Sequence, residues 1–314
     1  MFPKMTDLSA RIRNGDTGAL ARGISLVEDD APDGRVLLTA LADGVGRALR
    51  IGVTGPPGVG KSTLIDAVTE RWTAAGRRVA VLAVDPTSPF TGGALLGDRV
   101  RMGRAAEKGA VFIRSMASRG MAGGLARAAA DAMDLLDASG VDVVLLESIG
   151  AGQAEVEIAR CTDFCLVLVS PETGDGIQAM KSGLMEIADI LVINKADRPG
   201  ADRIEHEIRS SFALSTRGQR DVPILRMEAY RGTGVAELLV EVDARIAARR
   251  TGGEFESRRA ENTRRRIRGI AEHLVRRALW EHGNGIDALL GDVMARRLST
   301  HEAAERLVKE FRGS

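Results

Sequence analysis

The chain has 314 residues, of which 44% are hydrophobic and 28% charged, and its formal net charge is +1 at pH 7. A chain this close to neutral has no overall positive field, so we expect no nucleic-acid partner and no membrane partner. Its apolar runs fall short of the roughly 18 residues that a membrane-spanning helix requires, and its length allows two modest domains or one large domain with extensions.

Residues 1–49 predict a helical segment that precedes the main domain. Apolar residues recur there at near-helical intervals around a turn predicted at Asn14-Gly15. These apolar residues are Leu8, Ile12, Leu20, Ile24 and Val27. The N-terminus shows no apolar stretch of the kind that a secretory signal contains, so we expect no targeting segment.

From Ile51 onward the pattern changes to short aliphatic runs separated by helical stretches, which is typical of parallel strands covered on both faces. The predicted strands are RIGVTG, RVAVLAVD, AVFIRS, DVVLLES, FCLVLVS, DILVINK and VPILRM. We therefore predict an α/β domain over residues 50–250, in which helices cover both faces of a mostly parallel sheet.

The run IGVTGPPGVGKSTLIDAV joins the first predicted strand to a helix and contains the pattern G-x-x-x-x-G-K-S at residues 55–62. Glycines let the backbone turn so that successive N–H groups converge on phosphate oxygens, and the helix N-terminus adds its positive end. Lys61 would contact the β- and γ-phosphates, and the Ser62 hydroxyl would bind Mg²⁺. The pattern predicts a nucleoside triphosphate as the ligand.

Acidic residues at the ends of predicted strands indicate a metal site beside this loop. Glu147 ends an aliphatic run, and the N–H of Gly150, three positions later, can reach a γ-phosphate. Asp85 ends another strand and Asp98 lies in a glycine-flanked turn, although both could instead cap a helix. The predicted metal ligands are Ser62, Asp85, Asp98 and Glu147. The predicted catalytic residues are Lys61, Asp98 and Glu147.

The run ILVINKAD predicts a second recognition loop, formed by Asn194, Lys195 and Asp197 after a strand. The Asp197 carboxylate can accept two hydrogen bonds, from N1–H and from the 2-amino group of guanine. Adenine offers no such donor pair, so this contact would select GTP over ATP. Lys195 would lay its methylenes along the purine face. The two loops together predict GTP and GDP as ligands.

Residues 251–314 contain no predicted strand. They predict two long amphipathic helices separated by the sequence GNG at residues 283–285. The arginine-rich run RRAENTRRRIRG in the first helix has no interleaved aromatic residues, so we expect it not to bind nucleic acid.

The two cysteines, Cys161 and Cys165, flank a predicted strand with a spacing that superficially resembles half of a metal site. A zinc site would need further thiolates or imidazoles nearby, so we predict inert thiols in or near the core. Two reduced cysteines without a disulfide framework are typical of a cytoplasmic protein.

Four segments resemble the MeaB/ArgK family of P-loop GTPases, which includes the methylmalonic aciduria type A protein. They are GVTGPPGVGKST, VLAVDPTSPFTGGALLGDR, LLESIGAGQAEVE and LVINKAD. The resemblance covers roughly residues 5–300, and its second segment is the most specific. It implies a P-loop NTPase fold and a phosphate loop over residues 55–63. The loop residues implied to bind nucleotide are Gly55, Gly58, Val59, Gly60, Lys61, Ser62 and Thr63.

The resemblance also implies a homodimeric GTPase chaperone that gates adenosylcobalamin delivery to an acyl-CoA mutase and protects that mutase. Residues 171–189 resemble the additional switch that senses the mutase, and the C-terminal helices resemble a dimerisation arm. The apolar side chains implied to face the partner subunit are Leu274, Leu279, Trp280, Ile286, Leu289, Leu290 and Leu298. Glu228-Ala229 departs from the Ser-Ala or Ser-Gly that often contacts the base.

Two alternatives come from other classes of protein. A nickel metallochaperone should display a His-rich tract or a Cys-His pair, whereas this chain has four scattered histidines. A kinase acting on a transport protein would need an acceptor pocket and a base near the γ-phosphate. In many GTPases a Gln directly follows the switch glycine, but here Ala151 follows Gly150 and the nearest glutamine is Gln153. We therefore expect slow hydrolysis until a partner docks.

Overall fold

The structure is a computed structural model that describes residues 3–85, 111–117, 124–148, 153–173, 183–214, 221–281 and 285–313. It divides into two compact units, Met1–Asn262 and Thr263–Ser314. The predicted boundary at residue 250 lies just before the helix in which the two units divide.

The centre of the first unit is a seven-stranded sheet. Its strands are β1 (Leu49–Thr54), β2 (Val79–Asp85), β3 (Val111–Ala117), β4 (Val143–Glu147), β5 (Phe164–Val169), β6 (Ile190–Ile193) and β7 (Ile224–Arg226). The spatial order is β3-β2-β4-β1-β5-β6-β7, and every pairing is parallel. All seven predicted strands are confirmed, and the sheet is parallel throughout.

Helices connect and flank the strands. They are α1 (Pro3–Arg13), α2 (Thr17–Glu28), α3 (Pro32–Leu41), α4 (Lys61–Ala74), α5 (Gly124–Ala138), α6 (Gln153–Cys161), α7 (Leu184–Ile187), α8 (Ala201–Leu214), α9 (Val235–Thr251), α10 (Glu254–Glu281), α11 (Gly285–Met294) and α12 (Thr300–Gly313). Short 3₁₀ turns occupy Ala42–Gly44, Pro171–Thr173 and Ala229–Arg231. The chain is therefore an α/β protein, as the aliphatic runs predict.

Alternate residues of each strand pack against helices on opposite faces of the sheet. In β5, Leu166 and Leu168 pack with α4 and α9, whereas Cys165 and Val167 pack with α7 and α8. Helices α1, α2, α3 and α5 cover the same second face over β2 and β4. Helices therefore cover both faces, which leaves the ends of the strands as the places for polar loops.

The helical segment before β1 shares a hydrophobic core with the sheet. All five of its predicted apolar residues are buried, in one cluster with α5 and with residues of β2 and β4. The turn between α1 and α2 is at Asn14-Gly15, where Gly15 has φ +76°. On the sheet, Arg114 of β3 pairs with Glu28 of α2 at 3.2 Å. These contacts confirm the helical prediction for this segment.

An aspartate directly precedes each of β4, β5 and β6 and accepts the backbone N–H of a neighbouring strand or of the residue leading into it. These hydrogen bonds are Asp142 Oδ2 with Arg78 N at 2.7 Å, Asp163 Oδ2 with Arg50 N at 3.0 Å, and Asp189 Oδ2 with Cys165 N at 2.8 Å. Each carboxylate satisfies a main-chain donor at the amino-terminal edge of the sheet. The three aspartates thus hold the strands in register at this edge.

The first turns of α10 bind two of these aspartates. Arg258 pairs with Asp189 at 2.8 Å, and Arg259 pairs with Asp163 at 2.6 Å. Both carboxylates are almost completely buried, so their charges need these partners. Phe255, which is also buried, packs beneath the Arg259 guanidinium at 4.6 Å. The start of α10 is therefore part of the first compact unit.

The second compact unit corrects one sequence prediction. The predicted second long helix is two helices, α11 and α12, because the chain turns at Arg296 with φ +58°. Ser299 then starts α12 with a capping box: its Oγ accepts the N–H of Glu302 at 3.1 Å, and the Glu302 carboxylate accepts the N–H of Ser299 at 2.9 Å. Leu298 is buried beside this turn, so it does not face outward as the resemblance implied.

The two cysteines are reduced and lie in or near the core. Cys165 is buried and Cys161 is half-buried. Burial raises the pKa of the Cys165 thiol, which keeps it protonated and inert. In the part of the chain that the structure describes, no group of three or more His, Cys, Asp or Glu side chains is arranged to hold a metal ion. Among the described helices, none combines the length and the apolar character needed to cross a membrane.

The Asp137 carboxylate joins the end of α5 to the chain entering β1. It accepts the backbone N–H groups of Gly46, Arg47 and Ala48 at 2.8, 3.1 and 2.9 Å, and the Arg50 guanidinium at 3.1 Å. Its side chain has no exposed surface. One carboxylate thus satisfies four donors.

We predict that Asp137→Ala lowers the free energy of unfolding by about 2–4 kcal/mol, because it leaves three backbone N–H groups without their acceptor and removes one of the two carboxylates that pair with Arg50, the other being Asp134. Urea unfolding followed by circular dichroism measures the change. Asp43→Ala is the matched control, since the Asp43 side chain is exposed and its ion pair with Arg13 lies at the surface, and it should leave the midpoint nearly unchanged. Equal midpoints for the two variants would contradict the role of Asp137.

Candidate functional site

The predicted phosphate loop lies between β1 and α4, and two of its glycines are required by close contacts. Gly55 has φ +143° and Gly60 has φ +96°, both in the region that favours glycine. A Cβ atom on Gly55 would collide with the Leu168 carbonyl, and one on Gly60 would collide with the Asn194 amide. The loop is therefore packed tightly between β5 and the loop after β6.

The remaining loop residues divide into those that anchor the loop and those at its surface. Val59 is fully buried, whereas Gly58 and Thr63 are exposed. Lys61 is the first residue of α4 and is buried, with its Nζ donating to the carbonyls of Gly55 and Pro56 at 2.8 and 2.9 Å. The ammonium thus lies within the loop, beside the N-terminus of α4, where two sources of positive potential meet.

Ser62 and Glu147 meet at the carboxyl-terminal edge of the sheet, as their predicted shared role requires. The Ser62 Oγ donates to Glu147 Oε1 at 2.6 Å. Glu147 is the last residue of β4, and the register pairs it with Val53 of β1. Ser148 follows and shares a buried 2.8 Å hydrogen bond with Thr54. A hydroxyl and a carboxylate oxygen in contact are hard ligands of the kind that suits Mg²⁺.

The other predicted metal residues are placed only in part. Asp85 is the last residue of β2, two positions beyond Ala83, which pairs with Glu147. Its backbone thus ends at the same edge as Glu147. Asp98 and Gly150 lie outside the described residues, so their predicted roles stay predictions. Mg²⁺ commonly takes one or two carboxylates together with phosphates and water, so a set of two side chains is compatible with it.

Asn194 connects three loops through a buried side chain. Its Nδ2 donates to the Val59 carbonyl at 2.8 Å, and its Oδ1 accepts the N–H of Ala229 at 3.0 Å. Only 2% of the residue is exposed. Both ends of the amide are used within the protein, so Asn194 positions the phosphate loop and the 229–231 turn relative to each other rather than pointing outward.

Lys195 and Asp197 follow at the surface of the same edge. Lys195 has the left-handed φ of +55°, and its Nζ donates to Glu172 Oε2 at 2.7 Å. Asp197 Oδ2 accepts the Tyr230 hydroxyl at 3.4 Å and lies 3.8 Å from Nε of Arg198. The two residues predicted to contact guanine are therefore held by side chains that no motif identified.

The departure at Glu228-Ala229 does not disturb the backbone of this loop. Ala229 is buried and gives its N–H to Asn194, while Glu228 turns to Arg231 at 3.1 Å. The Glu228 side chain is thus engaged within its own turn.

Sequence reasoning missed Tyr230, and it included Glu172 only within the segment 171–189, with no role at the base loop. Neither residue belongs to a nucleotide-binding motif, and the available signal was position, because Glu172 follows β5 and Tyr230 follows β7. Those strands flank β6, so their loops meet the base loop at one edge. The Lys195 hydrogen bond is the main cause that lowers the pKa of the Glu172 carboxyl.

Comparison with known proteins shows which family this chain is similar to. A family model described as "Methylmalonyl Co-A mutase-associated GTPase MeaB" matches residues 20–284. A protein of Pyrococcus abyssi that is named as a GTPase is 38% identical over 314 residues, covering 98% of this chain and 97% of that protein. The match therefore extends across nearly the whole chain.

Other relatives match over shorter or more divergent stretches. The GTPase ArgK of Escherichia coli is 46% identical over 191 residues, which cover 60% of this chain and 58% of ArgK. The mitochondrial methylmalonic aciduria type A homolog of Mus musculus is 35% identical over 243 residues, 71% of this chain and 59% of that protein. A crystal structure described as a LAO/AO transport system kinase has a TM-score of 0.75 at 28% identity and covers 99% of both chains.

We predict that Asp197→Asn weakens GDP binding by about 10- to 10²-fold, because the amide presents a donor to the guanine donors. Xanthosine diphosphate, which carries an oxygen at position 2, should bind this variant better than GDP does. Isothermal titration calorimetry with both nucleotides measures the change. Asp202→Asn, a highly exposed position on α8, is the control. If GDP binds the Asp197 variant with unchanged affinity, the base loop is misassigned.

Proposed function

The chain belongs to the MeaB family of methylmalonyl-CoA mutase-associated GTPases, and from that premise we propose that it is a GTP-hydrolysing chaperone for an adenosylcobalamin-dependent acyl-CoA mutase. The observation that carries the proposal is the contact of Ser62 with Glu147 beside the phosphate loop. This contact connects the phosphate loop, which is expected to hold the triphosphate, with the end of β4, which is expected to respond to the γ-phosphate. We further propose that the chain gates adenosylcobalamin delivery to this mutase and protects the mutase.

Within this proposal the site residues divide into three groups. Lys61 and the backbone N–H groups of the loop 55–63, other than the two prolines, bind the phosphates, and Asp197 and Lys195 bind the guanine edge and face. Ser62 and Glu147 would hold Mg²⁺, with Asp85 and Asp98 nearby, and the ion would neutralise phosphate charge when bound. Gly150 is proposed to give its N–H to the γ-phosphate. Such placement of charge and donors is the main source of catalysis in phosphoryl transfer.

Partner-dependent hydrolysis is the behaviour that this site supports. No glutamine directly follows the switch glycine, and the motifs identify no arginine that completes the site. We propose that the mutase orders residues 85–104 and 171–189 around the γ-phosphate and so accelerates hydrolysis. GTP turnover would then report that the correct mutase is docked. A cytoplasmic location fits the two reduced cysteines.

A kinase function is the second candidate, because the structural relative at TM-score 0.75 is described as a transport system kinase. A kinase would transfer the γ-phosphate to a protein acceptor, whereas a GTPase releases it to water. The nickel alternative has less support from the sequence, which has four scattered histidines and no His-rich tract. Release of free phosphate separates the two leading candidates.

We also propose a homodimer formed through the second compact unit. Its helices expose large apolar side chains, and such exposure is typical of an interaction surface. Those predicted to face the partner subunit and found exposed are Leu274, Trp280, Ile286 and Leu290. Ile267, Val275 and Met294 are exposed as well.

We predict that removing residues 263–314 gives a monomer that still binds GDP. The cut keeps Arg258 and Arg259 on their aspartates, so the sheet keeps the partners of its buried charges. Light scattering measures the mass, and calorimetry measures binding. Leu274→Asp with Trp280→Asp in the full chain is the companion variant and should also be monomeric. A dimer that persists after truncation would place the interface in the first unit.

We predict that a cognate adenosylcobalamin-dependent mutase accelerates single-turnover GTP hydrolysis by up to about 10³-fold, the lower end of the effect of one completing arginine. Released phosphate and labelled protein are both followed, so that hydrolysis is separated from transfer to an acceptor. The Lys61→Ala protein is the control for contaminating activity and should stay slow with the mutase. Equal rates with and without the mutase would refute the gating proposal, and a labelled acceptor would favour the kinase.

A further inference from the structure

Glu172 holds two cationic side chains of the base loop at once. It lies in the 3₁₀ turn directly after β5, and β5 pairs with β6 up to Val169 and Ile193. Its Oε2 lies 2.7 Å from Lys195 Nζ, and its Oε1 lies 3.2 Å from Arg198 Nε. We propose that Glu172 is a positioning residue for guanine nucleotides, which acts by holding Lys195 and Arg198 in the arrangement that accepts the base.

The contact with Lys195 fixes the face on which the base would lie. Lysine side chains carry four rotatable methylenes, and ordering them costs conformational entropy. An ammonium anchored on Glu172 extends the Lys195 stem in one direction before nucleotide arrives. The backbone is fixed as well, since Lys195 has φ +55° and its carbonyl accepts the N–H of Arg198 at 2.9 Å. Glu172 thus preorganises the apolar stem for stacking.

The contact of Glu172 with Arg198 keeps the Asp197 carboxylate available to the edge of guanine. Arg198 Nε lies 3.2 Å from Glu172 Oε1 and 3.8 Å from Asp197 Oδ2, so the closer partner is Glu172. Without the Glu172 charge, Asp197 is the other ion-pair partner of Arg198 in the described structure. A closer Arg198–Asp197 pair would occupy oxygens that the guanine edge needs. Glu172 therefore separates the arginine from the residue that reads the base.

The expected effect is modest because these side chains are partly in water. Glu172 is 40% exposed and Lys195 is 31% exposed. Exposed ion pairs contribute little individually, and here two of them act on one loop. Loss of Glu172 should therefore weaken GDP binding by about three- to tenfold, less than a change at Asp197 itself. The inference rests on the proposed role of the base loop.

The experiment compares Glu172→Gln and Glu172→Ala with the unchanged full chain by calorimetry with GDP, IDP and inorganic tripolyphosphate. Both variants should weaken GDP and IDP, since Lys195 contacts the face that the two bases share, and the loss should be at least as large for GDP, since Asp197 accepts an additional hydrogen bond from the 2-amino group of guanine. Tripolyphosphate binding should not change, because it reports on the phosphate loop alone. In steady-state hydrolysis the KM for GTP should rise while kcat is unchanged. Glu241→Gln, which breaks a partly exposed pair with Arg245 within α9, is the control.

A double variant tests whether Glu172 acts through the lysine. Adding Glu172→Gln to Lys195→Met should weaken GDP binding by less than Glu172→Gln does alone. Equal losses in both backgrounds, unchanged GDP affinity in both Glu172 variants, or an equal loss for tripolyphosphate would each overturn the inference. If Asp197→Asn loses GDP while the Glu172 variants do not, only the role of Glu172 fails. If Asp197→Asn also binds GDP normally, the base loop fails, and this inference fails with it.

Discussion

The candidate site depends on one buried amide. The side chain of Asn194 gives its donor to Val59 and takes the N–H of Ala229 into its acceptor, so it connects the phosphate loop with the turn after β7. A buried amide that loses either partner leaves an unsatisfied polar group, which costs more than the hydrogen bond contributed. Asn194 therefore holds the phosphate loop next to the turn after β7. Lys195 and Asp197 follow Asn194 in the chain, so the same side chain also determines how close they lie to the phosphate loop.

The two edges of the parallel sheet differ in how their charged side chains are used. At the amino-terminal edge, buried aspartates bind main-chain N–H groups and arginines, so charge there is neutralised within the protein. At the carboxyl-terminal edge, Lys61 and Glu147 are buried beside the phosphate loop, and the side chain of Asp197 is partly exposed. Parallel strands direct their carboxyl ends to one side, which is why polar groups from distant parts of the chain converge there. The amino-terminal edge therefore stabilises the sheet, and the carboxyl-terminal edge carries the candidate binding site.

The fold and the inner part of the site followed from the sequence because both depend on local patterns. All seven strands were visible as aliphatic runs, and Ser62 and Glu147 met because each lies at the end of a strand-linked motif. The break between α11 and α12 was missed although Ser299 and Glu302 form the S-x-x-E signature of a helix start. The apolar periodicity on both sides of the break is helical, and it masked a turn whose cause is a single left-handed residue, Arg296.

The contacts of Glu172 and Tyr230 with the base loop could not be predicted, because neither residue belongs to a nucleotide-binding motif. Glu172 and Lys195 are 23 positions apart and have no hydrophobic pattern in common. Their pairing arises only after β5 and β6 align in register, which brings the two loops together. Buried contacts such as that of Asn194 tolerate little change, whereas partly exposed pairs can vary at small cost. Differences in nucleotide affinity among proteins with the same motifs are therefore expected to originate in these partly exposed pairs, where each side chain shifts binding by only a few fold.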